Sequence, residues 1–271
     1  MNYITLKNNK KLAYISEGKG EVLVFIHSFL WDKEMWRPQI DFFKENFRCI
    51  SIDLLGHGDS SNLCKNKENY SLKEISDDIL EVLNSLDIKK YHYIGLSVGG
   101  MLAPYIAEDI RASSMVIMDS YVGAEPSETQ ETYFQLLNNI KNLQYIPEPM
   151  AELISPMFFS PKTTQEKTEL YLNFHNHLLN LPKENIDTIV ATGFGIFGRE
   201  DTLNRLEEIN IPTLYLAGEV DIPRPIKESE EMRNLTKNSN FKVIEGAGHI
   251  SNLENPNSVN SIIQEFLNKI K

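Results

Sequence analysis

An α/β fold, with a mostly parallel sheet covered by helices on both faces, is predicted by three features of the sequence. Short, apolar, strand-like runs recur at 22–26, 48–52, 91–96, 114–118, 212–217 and 241–244. Segments with apolar residues at helical spacing lie between most of them, and this alternation implies parallel strands sandwiched between helix layers. Between residues 121 and 208 the alternation stops and only helical patterns remain, which predicts an all-helical insertion carried on the sheet.

The first strand is Val-Leu-Val-Phe-Ile at 22–26, followed by a helical stretch over 38–45 and a strand at 48–52. A helix is predicted over 71–86, where Leu72, Ile75, Ile79 and Leu83 recur at helical spacing. Ser71, with Glu74 three residues on, is a capping-box pair at its start. The strand at 91–96 leads into a helix over 99–108, and 114–118 is a further apolar strand. Within the insertion, helical patterns cover 129–140, 164–179 and 185–197, punctuated by Pro147, Pro149, Pro156, Pro161 and Pro182. Strands at 212–217 and 241–244 bracket a helix over 225–235, and an amphipathic helix follows over 257–270. The expected division is therefore a core of 1–120 and 209–271, and a helical insertion of 121–208. The polar stretch 65–69 reads as a surface loop.

A chain of 271 residues that is 41% hydrophobic can bury one large core. Its 27 Lys and Arg against 38 Asp and Glu give a formal charge of -11, which aids solubility and disfavours attraction to nucleic acid or anionic lipid. Cys49 in a strand-like run and Cys64 in a polar loop fit neither a disulfide framework nor a metal site, so both read as free thiols of a reducing compartment. Residues 1–20 hold no apolar core of a signal peptide, and every apolar run is too short to span a bilayer. The expectation is a cytoplasmic protein with no membrane partner. No metal-ligand cluster or dinucleotide-type glycine loop stands out, so neither metal nor cofactor is expected. The sequence is silent on oligomeric state.

The most informative segment is Gly95-Leu-Ser97-Val-Gly99, a G-x-S-x-G string set between a strand and a helix. A strand that turns at once into a helix crowds the serine's backbone, and neighbours without side chains relieve the crowding. The turn lifts the hydroxyl above the sheet edge and aims the helix N-terminus at developing negative charge. Ser97 is thus the candidate nucleophile; the bland alternative is a serine that only caps the helix.

A serine hydroxyl needs a base. His249 lies just past the last strand on a glycine-flanked loop, at the same carboxyl edge of the sheet as Ser97, and is the candidate base. His27 ends a strand in the loop on the oxyanion side, His57 sits in a Gly-x-Gly loop where packing is its expected role, and His92 lies within a strand. His175 and His177, in the insertion, are expected at the surface. The base needs a carboxylate to fix its tautomer. Asp221, following the strand at 212–217, is the first choice, and Glu219 and Asp119 are its competitors. Backbone donors for an oxyanion are expected from Val98, the residue after the nucleophile, and from Phe29, two residues past His27.

Taken with Asp53-Leu-Leu-Gly-His57-Gly-Asp-Ser60, Gly218-Glu-Val-Asp221 and Gly246-Ala-Gly-His249-Ile-Ser-Asn-Leu-Glu254-Asn-Pro256, the elbow makes the chain resemble the α/β-hydrolase superfamily over nearly its whole length. The resemblance implies a helical cap at 121–208 that shapes an acyl pocket. The His249 segment and Met35-Trp36-Arg-Pro-Gln39 are similar to the 3-oxoadipate enol-lactonase group and small carboxylesterases. Pimeloyl-carrier-protein methyl ester esterases are also similar in scale and motif. The family usually carries Gly after the strand-terminal histidine; here Ser28 stands there, where its side chain can narrow or polarise the oxyanion pocket.

A serine at the elbow points to acyl transfer rather than the alkyl displacement of dehalogenases and epoxide hydrolases, which use a carboxylate. The expected reaction is hydrolysis of a small-molecule carboxylic ester through an acyl-enzyme, with Ser28, Trp31, Trp36 and Leu96 as candidate pocket walls. Trp36 serves equally well as core. Carboxylates outnumber Lys and Arg within 121–208, and no spacing puts Arg199, Arg205 or Arg224 in the pocket, so a largely uncharged ester is favoured. The same residues also suit a lactonase, a carbon–carbon bond hydrolase, a carrier-protein methyl ester esterase, a perhydrolase, or a ligand receptor that keeps the triad without turnover.

Overall fold

The computed structural model describes residues 1–7, 9–62 and 67–270; Cys64 and residues 65 and 66 of the expected surface loop lie outside the described residues. Eight strands form one sheet: β1 (Asn2–Thr5), β2 (Lys11–Glu17), β3 (Glu21–Ile26), β4 (Phe47–Ile52), β5 (Tyr91–Leu96), β6 (Ala112–Met118), β7 (Thr213–Gly218) and β8 (Ser239–Ile244). Their spatial order is β1-β2-β4-β3-β5-β6-β7-β8. From β4 through β8 every neighbouring pair is parallel, whereas β1 and β2 add an antiparallel edge.

That edge is what the sequence did not announce. β1 is largely exposed and β2 mixes polar with apolar residues, so neither shows the continuous apolar run of a strand buried on both faces. The ladder holds β2 in place, with Tyr14 opposite Ile52 and Ser16 opposite Ile50.

Twelve helices are described: α1 (Arg37–Phe43), α2 (Leu72–Ser85), α3 (Val98–Met101), α4 (Ala103–Ile106), α5 (Ser127–Leu143), α6 (Glu148–Ile154), α7 (Pro161–Gln165), α8 (Glu169–Leu179), α9 (Ile186–Phe197), α10 (Ile226–Leu235), α11 (Ser251–Glu254) and α12 (Pro256–Lys269). The expected capping box is present: Ser71 Oγ accepts the Glu74 N–H while the Glu74 carboxylate accepts the Ser71 N–H. The helix expected over 99–108 is broken at Leu102, because Pro104 has no N–H to give the Gly100 carbonyl.

Alternation along the central strands feeds two cores. Val24 and Ile26 pack with Ile75, Ile79 and Val82 of α2 on one face. Leu23 and Phe25 pack with Ile40 and Phe43 of α1 and Ile263 and Phe266 of α12 on the other. Burying each such side chain contributes about 1.5–3 kcal/mol. The connection from β6 to β7 carries α5 through α9 and no strand among the described residues, with α5 packed on α9 through Phe134 and Phe194.

The order of the strands locates the site. The chain steps from β3 to β4 on one side, then crosses to place β5 on the other side of β3. A crevice opens at the carboxyl ends of strands where the winding reverses, and β5 ends at Leu96, one residue before Ser97.

Candidate active site

Ser97 sits between β5 and α3 with φ 55° and ψ -116°, a sparsely populated conformation for a residue with a side chain. The flanking glycines are required by close approach. A Cβ on Gly99 would lie 2.4 Å from the Ile26 carbonyl oxygen, and one on Gly95 would lie 2.4 Å from the Gly99 backbone. The strain is held by neighbours: the Ser97 N–H donates to Met118 O at 2.9 Å, and Ser120 Oγ donates to Ser97 O at 2.7 Å. Tyr93 Oη donates to Gly99 O at 2.6 Å.

The structure brings Ser97, His249 and Asp221 into one relay. His249 Nε2 lies 2.9 Å from Ser97 Oγ, and His249 Nδ1 lies 2.9 Å from Asp221 Oδ2. The second oxygen of Asp221 accepts the Arg224 N–H at 3.0 Å, which fixes the carboxylate plane. All three residues are buried. The competing acids have other work. Asp119 accepts the Gly218 N–H at 2.7 Å and the Ser251 hydroxyl at 2.5 Å, so it braces the strand end before Asp221 and the turn after His249. Burial, with the Asp221 charge nearby, pushes its carboxyl well above the ordinary range. Glu219 accepts the Gly246 N–H at 2.9 Å at the surface.

The His249 loop is fastened to the β6–β7 connection. The Ile250 N–H donates to Phe158 O at 3.1 Å, and the Glu254 carboxylate accepts both the Gly248 N–H at 2.6 Å and the Ser160 N–H at 3.0 Å. The Phe158 ring stands edge-on to His249, 5.7 Å between centroids.

On the opposite side, His27 holds the loop that carries Phe29. Its Nδ1 bonds to Ser28 O at 2.7 Å and its Nε2 accepts the Leu54 N–H at 2.9 Å, a neutral arrangement favoured because complete burial lowers the imidazole pKa. Val98 opens α3, where the first N–H of a helix has no intrahelical acceptor. Phe29 lines a cavity of about 80 Å³ together with Ser97 and His249. Its apolar wall comes largely from the β6–β7 connection, including Leu137, Ile140, Met157, Phe158 and Ile189.

Four expected wall residues lie elsewhere. Leu96 and Trp36 belong to the core on the far face of the sheet, Trp36 packing on Phe25 with 5.2 Å between ring centroids. Trp31 stacks on Phe174 at 4.5 Å and lines a separate groove with His177 and Leu253. Ser28 is fully buried outside the cavity lining, its N–H directed at Met35 Sδ and its Oγ without a partner among the described residues. His175 and His177 are half-buried rather than at the surface: His175 bonds Ser155 Oγ and Glu148, and burial lowers the His177 pKa. His57 is packed against His27 and Phe29, and burial lowers its pKa to about 3. His92 bonds Ser114 within the sheet.

Arg224, which sequence spacing left outside the pocket, lines the cavity. Its guanidinium pairs with Glu125, to which Arg199 Nη1 also donates at 2.8 Å, and Glu228 stands 3.6 Å from it. Burial lowers both guanidinium pKa values, that of Arg199 to about 10. Arg205 lies elsewhere, on Glu108 and Pro104 O. Only three-dimensional contact reveals the Arg224–Glu125 arrangement, since Glu125 is 99 residues away in the chain. Among the described residues no three His, Cys, Asp or Glu side chains converge as a metal site, and no helix is long and apolar enough to cross a membrane.

This arrangement can perform acyl transfer: a hydroxyl, a base within hydrogen-bond reach, and a carboxylate that orients the base. Residues 21–256 match the family described as alpha/beta hydrolase fold. The chain is 27% identical over 275 residues to 3-oxoadipate enol-lactonase 1 of Acinetobacter baylyi, spanning 99% of this chain and 97% of that one. A thermophilic esterase from Thermogutta terrifontis superposes with a TM-score of 0.89 at 27% identity, covering 99% of this chain and 98% of that one. Est816, described as an N-acyl homoserine lactone degrading enzyme, superposes with a TM-score of 0.81 at 27% identity, covering 98% of this chain and 100% of that one.

Proposed function

The chain belongs to the α/β-hydrolase fold family, and from that premise we propose that it is a serine hydrolase cleaving a small carboxylic ester through an acyl-enzyme on Ser97. The observation that carries this reading is the Ser97–His249–Asp221 relay, at 2.9 Å for each link, opening into an apolar cavity. His249 takes the Ser97 proton as Oγ attacks the ester carbonyl carbon, and Asp221 stabilises the imidazolium that forms. The N–H groups of Phe29 and Val98 receive the oxyanion, a contribution of about 100-fold or more in rate for each donor. Protonated His249 then gives its proton to the departing alcohol. Water, activated by the same base, releases the acid and restores Ser97. In this reading residues 121–208 form a cap over a core of 1–120 and 209–271, and its apolar side chains hold the acyl or alcohol group away from water.

A cyclic ester is the second reading, favoured by the two similar proteins whose names specify lactones. Ring opening uses the same steps, with the leaving alcohol remaining on the product.

p-Nitrophenyl esters of increasing acyl length, with Ser97→Ala beside the wild type, test the class. A fluorophosphonate should add one covalent label to the wild type and none to Ser97→Ala. Undiminished turnover or labelling in the variant would sink the mechanism.

A further inference from the structure

The two ends of the β6–β7 connection meet beside the acid of the relay. Glu125 lies just before α5 and Arg199 just after α9. The stretches around them are stitched together where the Thr202 N–H and hydroxyl both donate to Val122 O, at 3.1 and 3.0 Å. Arg199 Nη1 donates to Glu125 Oε1 at 2.8 Å and to Ile196 O at 3.0 Å, so the carboxylate is pinned from the far end of the connection. The same oxygen accepts an N–H of the Arg224 guanidinium. The side chains of Glu125, Arg199 and Arg224 are 2%, 2% and 5% exposed, which shields the pairing from salt. Glu228 of α10 stands on Arg224 as well, 3.6 Å from its Nη1.

Arg224 follows Asp221 closely, in Asp221-Ile-Pro-Arg224-Pro225. Its N–H donates to Asp221 Oδ1 at 3.0 Å, while Asp221 Oδ2 faces His249 Nδ1 at 2.9 Å. Proline on either side leaves this backbone little freedom, because the rings fix φ at 223 and 225 and a residue before proline is held extended. The buried guanidinium, held by Glu125, then fixes where the Arg224 N–H points. A carboxylate gripped through one oxygen turns when that N–H turns, and its other oxygen leaves the line to the imidazole.

We propose that Glu125 is a positioning residue for Asp221, acting through Arg224, and that the ends of the β6–β7 connection thereby hold the acid of the relay in line with His249. The inference rests on the serine hydrolase reading for the role of Asp221. Glu125 is absent from the cavity lining, and its effect passes through one side chain and one backbone N–H. A carboxylate that merely neutralised buried arginines would lower stability when lost, whether or not Asp221 is present.

The rate at which a fluorophosphonate labels Ser97 reads the relay in a single covalent step, and a double-mutant cycle on that rate tests the proposal. Glu125→Ala should slow labelling by roughly ten- to hundredfold, the scale expected when a catalytic group loses its alignment. In an Asp221→Ala background the same change should matter by less than about twofold, because the path then has no target. Equal factors in the two backgrounds overturn the proposal, and so does undiminished labelling in folded Glu125→Ala. Arg224→Met cuts the same link while leaving Glu125 paired with Arg199, so it carries the cycle if Glu125→Ala does not fold. Its factor should collapse in the same background, and equal factors there overturn the proposal too. Proton NMR gives a readout that stability alone does not move. The downfield His249 Nδ1–H resonance, assigned by its loss in Asp221→Ala, should shift in Arg224→Met and stay in place in Ser71→Ala, where the change lies in the cap of α2. An unshifted resonance in Arg224→Met overturns the proposal. Wild type that takes no label at Ser97 would instead remove the hydrolase reading, whereas labelled wild type with additive variants would leave that reading and remove only this one.

Discussion

Asp119 and Asp221 are both buried at strand ends beside the His249 loop, yet only Asp221 meets an imidazole nitrogen. Replacing Asp221 with Asn keeps the shape but favours the wrong histidine tautomer, so kcat/KM should fall by about ten-thousandfold. Asp119→Asn keeps an oxygen for the Gly218 N–H, and the Ser251 hydroxyl can turn to accept from the new amide, so its loss should stay below about tenfold. Steady-state kinetics on both variants checks the ordering; similar losses would mean that the two carboxylates act as one unit. At this scale the sequence was legible where chemistry is local. Ser97 and His249 announce themselves through glycines that a tight turn demands. Leu96 did not, although it adjoins the nucleophile, because strand alternation sends it through the sheet to the far core. The place of Arg224 on the cavity was invisible for another reason: its guanidinium is held by Glu125, which the fold brings from the start of the β6–β7 connection.

Among the elements, α2 is the one whose limits were readable at both ends of its capping box. Ser71→Ala removes an acceptor for the Glu74 N–H and should cost about 1 kcal/mol of stability. A melting temperature lower by roughly 2–4 °C, seen by circular dichroism, is the expected outcome, and an unchanged one would mean that the Ser71 N–H and Glu74 suffice. The central strands were equally legible, since burial on both faces leaves few polar positions in them. β1 and β2 were not, because an antiparallel edge needs no apolar run, and the break between α3 and α4 was missed because a proline inside an apolar segment signals a kink only when its missing partner is counted.

For the whole molecule, acidity exposes the cost of buried imidazoles. The His57 pKa falls from 6.5 to about 3 through burial, and burial lowers His27 as well. Below pH 6.5 the unfolded chain binds protons that the folded one refuses, so this part of the stability is complete above pH 6.5 and is lost as pH falls towards 3. Asp119, Asp53 and Glu228, raised by burial, pull the other way. A difference measurement isolates the histidine: urea unfolding of wild type and His57→Gln should converge by about 1.4 kcal/mol per pH unit below 6.5. Parallel curves would show that folding does not change the proton affinity of His57. At this scale the helical character of 121–208 was readable from periodicity, but not that its residues 158–160 would meet the loop of the base. Those three hydrogen bonds, from Ile250 to Phe158 and from Gly248 and Ser160 to Glu254, act as an interlock between doorway and engine. A displacement of the wall at that point would strain these bonds and pull the imidazole from the hydroxyl, so a gate opened there would be one behind which no chemistry runs. Traffic that leaves the relay armed must pass along another side.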